Sequence, residues 1–515
     1  MKGYKDSKKI FILLFIILAV CITIGVMFMK PQVGIADQGD FDRVMASSGL
    51  SLLDSDKNNP NFIRFYKYIV TDYKISGQEN PLMLCISSSI SYLIIIITSI
   101  CKLLGQSIFK TQYLAIAYSL IYIFAFSVIL KSINIKNNLK LILLGLLTLF
   151  IFFDGNYLIW FNSLYGEPMV LITLLLLISS VLHYTYYKYV TMDTEKLLSR
   201  IVYILFAAFL FLGSKMQVSM TLLVILILLL KIIYDNKHIL SKNNLIFISF
   251  LLCLVIIYPI GINITSKSLS KDTQYNSVFY GILNGSDTPK QDLIDLGLNP
   301  DMSVEAGKHS YLNQDEYVKY VPRTEITEKE FYSKIGNGKL VKFYLMHPLR
   351  LLKGMEYTAN KAFYTSTSLG KNYESYSETP VTKFHRFTLW SSFRENVLPK
   401  NLYFIISVYL IVFLFSFYKY FISKSNPDTK LKILLLWCVM LISVLQFPMP
   451  FVGNGQADTA KQLFLFNFIF DGMLMLIYNY ILFKVIYFFG SIRQYCGHRK
   501  LTDKSNYIRS SDLNL

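Results

Sequence analysis

The stretch IFILLFIILAVCITIGVMFMKPQVGIADQGDFDRVMASSGL, residues 10–50, sets an unbroken apolar run directly against an acidic turn. At ~1.5 Å per residue, a helix over 10–29 crosses a hydrocarbon core of about 30 Å. Lys2, Lys5, Lys8 and Lys9 precede it, which favours an N-terminus on the inside. The run is longer than a signal-peptide core and ends in Phe28, Met29, Lys30 and Pro31 where a cleavage site needs small residues. It therefore reads as a retained anchor. Beyond it, Asp37, Asp40 and Asp42 crowd six positions at the membrane's edge.

The rest of the chain repeats the first half of that pattern. Hydrophobic residues make up 53% of 515, charged residues 16%, and the mean hydropathy is +0.43, which excludes a water-soluble globular protein. The net charge of +18 does not signal a nucleic-acid partner, because Lys and Arg stand in short clusters beside apolar runs. The six cysteines form no CxxC pair and avoid the large polar stretch, so neither a disulfide framework nor a zinc site is indicated.

Further apolar runs occupy 82–101, 112–130, 141–160, 168–187, 201–212, 218–234, 245–264, 402–421, 433–447 and 463–489. The basic connectors Lys131/Lys136/Lys140, Lys188/Lys196/Arg200, Lys237/Lys242 and Lys424/Lys430/Lys432 belong inside, as does the tail with Arg493, Arg499 and Lys500. That rule holds throughout if the chain crosses about ten times and the run at 82–101 starts and ends outside, as a re-entrant or interfacial element. The expectation is an all-α polytopic membrane protein with both termini cytoplasmic. A transmembrane module over 1–263 carries outer loops at 30–81 and 154–167. A mostly helical extracytoplasmic domain at 264–401, C-terminal membrane helices at 402–489 and a cytoplasmic tail at 490–515 follow. The outer face then collects 30–81, 154–167, 264–401 and 448–462, and no acid or base stands out deep inside a span.

Those outer segments hold the candidate chemistry. Asp37 caps a helix with Asp40 three residues on, or Asp40 acts as a general base held near the bilayer by Gly39; the two readings are compatible. In DGNYLIWFNSLYGEP, 154–168, Tyr157 and Trp160 are ordinary interfacial anchors, while Glu167 before Pro168 either stabilises a helix start or serves the site. In GSKMQ, 213–217, Lys215 snorkels to headgroups or faces a phosphate. In GNGQADTAKQ, 453–462, Asp458 and Lys461 pair along a helix or serve a ligand. No cluster has metal-ligand spacing, and no phosphate-binding GxxxxGK[ST] or GxSxG motif occurs.

Taken in order, GDF at 39–41, FNSLYGEP at 161–168, GSKMQ, YNSVFYGIL at 275–283, DLGL at 295–298 and GNGQADTAKQLFLFN at 453–467 resemble the GT-C superfamily of membrane glycosyltransferases. Within it they look like the WsfD-like hexose transferases of surface-glycan synthesis. Ile35, Asn454 and Gln456 depart from that group's pattern, so no role rests on an acid at 454 or 456. The resemblance implies a polyprenyl-phosphate hexose donor in the bilayer, a glycan acceptor and transfer at the extracytoplasmic face of the cell membrane. It implies Asp40 as base, with Asp37 and Glu167 supporting. Lys215, Lys461 and Arg43 would hold the donor phosphate, and Gln217, Tyr165, Asn162 and Asp458 would line the substrate site. Some members use a divalent cation and many none, so no metal ligand is assigned. A transporter or flippase of lipid-linked glycans, or a polymerase or ligase with a diphosphate donor, is the alternative.

Overall fold

The computed structural model describes residues 2–77, 87–265, 271–423 and 426–511. Among the described residues, seven helices are long and apolar enough to cross a membrane: Ser7–Phe28, Thr111–Ser132, Glu167–Val190, Lys242–Ile264, Leu402–Ile422, Pro427–Asn454 and Phe464–Phe488. The run at 141–160 is a bent pair, Asn138–Phe152 and Gly155–Phe161, turned by 54°. The bend has a local cause. Asp154 Oδ1 accepts the Asn156 amide at 2.9 Å and starts a new helix, and a Cβ on Gly155 would lie 2.0 Å from the Arg386 carbonyl oxygen. With the shorter helices Leu197–Leu212 and Leu222–Tyr234, the described bundle reaches the expected count of about ten.

The spans differ in what they face. Glu167–Val190 is 78% buried and forms the centre, flanked by Thr111–Ser132 and Leu197–Leu212. Ser7–Phe28, Lys242–Ile264 and Leu402–Ile422 are 28% buried, and Leu13, Ile257 and Leu410 point outward. Lipid is the only solvent in which such faces are stable.

The helix Ser89–Leu103 accounts for the remaining run, whose residues 82–86 lie outside the described ones. Its first turn is tied down where Ser89 donates to the Gly213 carbonyl at 2.9 Å. Its last turn leads through Gly105, at φ +73°, into a three-stranded antiparallel sheet of β1 (Leu50–Leu52), β2 (Asp72–Ile75) and β3 (Ile108–Lys110), ordered β1-β2-β3. Both ends therefore meet the loops at one end of the bundle, as a re-entrant or interfacial element must.

The segment 264–401 is lashed to the first loop and does not stand apart. Residues 370–372 run between 34–36 and 66–69: Ala36 donates to the Gly370 carbonyl at 2.9 Å, Gly370 to Tyr66 at 2.8 Å and Ile69 to Asn372 at 3.1 Å. Only glycine fits here, since a Cβ at 370 would sit 1.6 Å from the Lys67 carbonyl oxygen. At the other end of the chain, the final helix continues without a break as Phe464–Ser511, so the tail at 490–515 begins as a helical extension of the last span.

Candidate active site

The acidic turn divides its carboxylates between two tasks. Asp37 is buried; its Oδ1 accepts the Gly39 and Phe41 amides at 2.7 and 3.3 Å, and Arg64 bonds its Oδ2 at 3.2 Å. It thereby caps the helix Phe41–Ser48. Burial pushes its carboxyl above the usual range, against the pull of those amides and Arg64. Asp40, at the N-cap position, makes no capping bond of its own. Gly39, at φ +111°, turns the chain so that the Asp40 side chain leaves the helix start and faces the bundle.

What Asp40 meets comes from the far end of the sequence. Lys461 Nζ lies 2.7 Å from Asp40 Oδ2, with the lysine 11% and the aspartate 41% exposed. Asp458 adopts a left-handed conformation, φ +52°, that starts the short helix Thr459–Gln462 and aims Lys461 at the turn. Lys461 also stands 5.4 Å from the Tyr165 ring centre. Burial alone would raise the Asp40 pKa, but Lys461, then Lys215 and Arg43, outweigh it and hold the carboxyl at about 2. Burial likewise disfavours the Lys461 charge, and Asp40, Glu167 and Asp458 more than reverse that, so it stays protonated.

Beside this pair stands a second. Lys215 Nζ is 2.7 Å from Glu167 Oε1, with Glu167 almost fully covered at the head of the central span. The Glu167–Lys215 pair and Lys461 line one small cleft of about 10 Å³, room for about one water, and Asp40 meets it only through Lys461. Glu167, Lys215, Gln217 and Lys461 form its polar side, and Val170, Phe464 and Leu465 its apolar side. Gln217 donates to the Gln462 carbonyl at 3.3 Å, joining the GSKMQ loop to the segment that carries Lys461.

The other expected residues are placed differently. Tyr165 is buried as a clamp, donating to the Ala36 carbonyl at 2.9 Å and accepting the Gln38 amide at 3.0 Å. Asn162 is also enclosed, accepting from Thr111 at 2.6 Å and donating to the Val33 carbonyl. Both thus fix the acidic turn from behind. Arg43 and Asp458 are exposed at the rim. The expected partnership of Asp458 with Lys461 along one helix is replaced by the Asp40–Lys461 pair, because the left-handed residue 458 lies outside the helical register. Asn454, where the resembling group carries an acid, accepts from Asn276 at 2.9 Å and seats the YNSVFYG segment against the GNGQAD loop. Among the described residues, no three His, Cys, Asp or Glu side chains converge as metal ligands, and the carboxylates nearest the cleft are already bonded to lysine.

A buried network was not anticipated. Asp471 lies about two turns inside the last span, against the expectation that no ionisable residue stands there. Its Oδ2 accepts from Arg394 at 2.6 Å, Tyr157 at 2.7 Å and Trp390 at 2.8 Å, with Arg394 and Asp471 wholly covered. The signal was present in FNFIFDGML, a single acid in an apolar run. Arg64, the partner of Asp37 and Asp42, carried no comparable signal.

Residues 1–501 match the family model described as the YfdI N-terminal transmembrane domain. No curated protein and no solved structure matches the chain. The match supports a membrane protein and carries no specific link to the WsfD-like group.

Proposed function

The chain belongs to the YfdI N-terminal transmembrane domain family, and from that footing we propose that it is a GT-C-type glycosyltransferase moving a hexose from a polyprenyl-phosphate donor to a hydroxyl of a cell-surface glycan. The observation that carries this reading is the convergence of Lys215 and Lys461, each 2.7 Å from a carboxylate, on one cleft at the head of the spans. A lipid-borne phosphate needs cations at its head and an apolar wall for its chain; the two lysines and Val170, Phe464 and Leu465 supply both once the ion pairs open to admit it.

The chemistry follows from the pairs. An arriving phosphate competes with Asp40 and Glu167 for the two lysines. As Lys461 turns to the phosphate, the force holding the Asp40 carboxyl at about 2 is relieved and its basicity rises. The acceptor hydroxyl oxygen then attacks the anomeric carbon, the bond from that carbon to the phosphate oxygen breaks, and Asp40 takes the hydroxyl proton. The leaving phosphate departs with its electron pair and needs no proton, because Lys215 and Lys461 offset its charge. The basic clusters between spans favour cytoplasmic termini and transfer at the extracytoplasmic face. The resemblance to the WsfD-like group supports a hexose.

Asp471 does not favour a transporter, since Trp390, Tyr157 and Arg394 seal it from any passage. The test is to supply membranes holding the chain with radiolabelled polyprenyl-phosphate hexose and an acceptor glycan preparation. Label should move into glycan with release of polyprenyl phosphate. Translocation of intact donor without transfer rejects the enzyme.

A further inference from the structure

The helices Asn337–Met346 and Pro348–Asn360 form a hairpin that the proposed reaction does not use. Its inner side is well packed: Phe343, Tyr344, Met355 and Ala359 are buried. Its outer side carries Val341, Leu345, Met346, Leu349 and Leu352, each more than half exposed and Leu345 and Leu349 at 74%. So much contiguous apolar surface is costly in water and marks a docking face. Lys339, Lys342 and Lys353 are exposed on the same hairpin, with no ion-pair partner among the described residues.

Its position says what covers it. Glu356 accepts the Leu402 amide at 3.2 Å, exactly where the span Leu402–Ile422 begins. Gly354 lies against Phe451, on the terminal turn of the span Pro427–Asn454; a Cβ there would come within 2.2 Å of the ring. The hairpin therefore rests on the ends of two spans, and Tyr403 and Ile406 at the start of one of them are likewise exposed. Apolar side chains at that level meet the acyl boundary, while lysines beside them meet headgroups.

We infer that this hairpin is an interfacial anchor that docks on the membrane surface and selects anionic lipid headgroups through Lys339, Lys342 and Lys353. A lysine beside an anionic surface contributes about a factor of 5 in local lipid preference.

The test places a photo-crosslinking benzoylphenylalanine at Leu345 or Leu349 in the full chain, reconstituted in phosphatidylcholine vesicles with a minority of phosphatidylglycerol. Mass spectrometry reads the adduct. The expected product is a phospholipid adduct enriched in phosphatidylglycerol ~5-fold or more over its share of the bilayer. Replacing all three lysines by glutamine (K339Q, K342Q, K353Q) should keep the lipid adduct and return it to that share. Absence of lipid adduct, a crosslink to a second copy of the chain, or phosphatidylglycerol at no more than its bilayer share in the unsubstituted chain each overturns the inference.

Discussion

Replacing Asp40 by Asn separates a catalytic carboxylate from a mere partner of Lys461, because the two roles differ in size. If Asp40 only neutralises Lys461, its loss removes a pair whose aspartate is 41% exposed. Solvent screening limits such a pair to about 1 kcal/mol, or roughly a factor of 5. If it accepts the acceptor's proton, turnover should fall ~100-fold or more, about 2.7 kcal/mol of barrier, with the donor KM unchanged or lower because Lys461 is freed for phosphate. The assay is transfer of label from polyprenyl-phosphate hexose, with unfolding in detergent as the control. Exchanging the partners, Asp40→Lys with Lys461→Asp, should rebuild the pair without restoring turnover. A pH profile adds a second reading. A carboxyl held at about 2 stays ionised through neutral pH, and its folded-state contribution is lost only as pH falls through that value. In Lys461→Gln, burial is no longer outweighed to the same degree, so the acid limb of the rate profile should move to higher pH. An Asp40→Asn variant that keeps more than about a tenth of wild-type turnover refutes the assignment.

Lys215→Met leaves Glu167 covered and unpaired, so unfolding in detergent should show a loss of about 1–3 kcal/mol, together with a raised donor KM. Arg394→Met strands Asp471 at full burial and should cost about 3–5 kcal/mol, with much of the loss recovered in the double variant Arg394→Met/Asp471→Leu. Lys371 donates to the Thr367, Leu369 and Thr382 carbonyls, and burial brings its ammonium down from 10.5 to about 8. The unfolded chain binds that proton more tightly, so wild-type stability should rise relative to Lys371→Met as pH climbs from about 8 to 10.5, read by thermal unfolding.

Membrane residence could be read from the sequence because apolar runs of span length have few other uses, and the basic clusters between them fixed the expectation that 82–101 turns back. The structure ties both ends of Ser89–Leu103 to one end of the bundle. The acidic turn was equally plain, yet its division of labour was not. A cap and a free carboxylate three residues apart look alike until backbone geometry shows which one the amides claim. Tyr165 and Asn162 were legible as part of a conspicuous motif, but a motif does not reveal which way a side chain turns, and both turn inward. Lys461 was legible as a cation at a span entrance. Its partner was not, since ion pairing over so long a stretch of chain is decided only by how the helices assemble.

That stretch spans 421 residues from Asp40 to Lys461, and the segment that braces the acidic turn arrives only with residues 370–372. During synthesis Asp40 is thus inserted long before Lys461 exists, whereas Asp37 and Glu167 meet Arg64 and Lys215 early. A chain interrupted before residue 461 lacks the lysine that Asp40 pairs with, although Lys215 and Arg43 are already in place. On the proposed reading, competence for transfer therefore waits for the last stage of biogenesis, when Lys461 reaches Asp40.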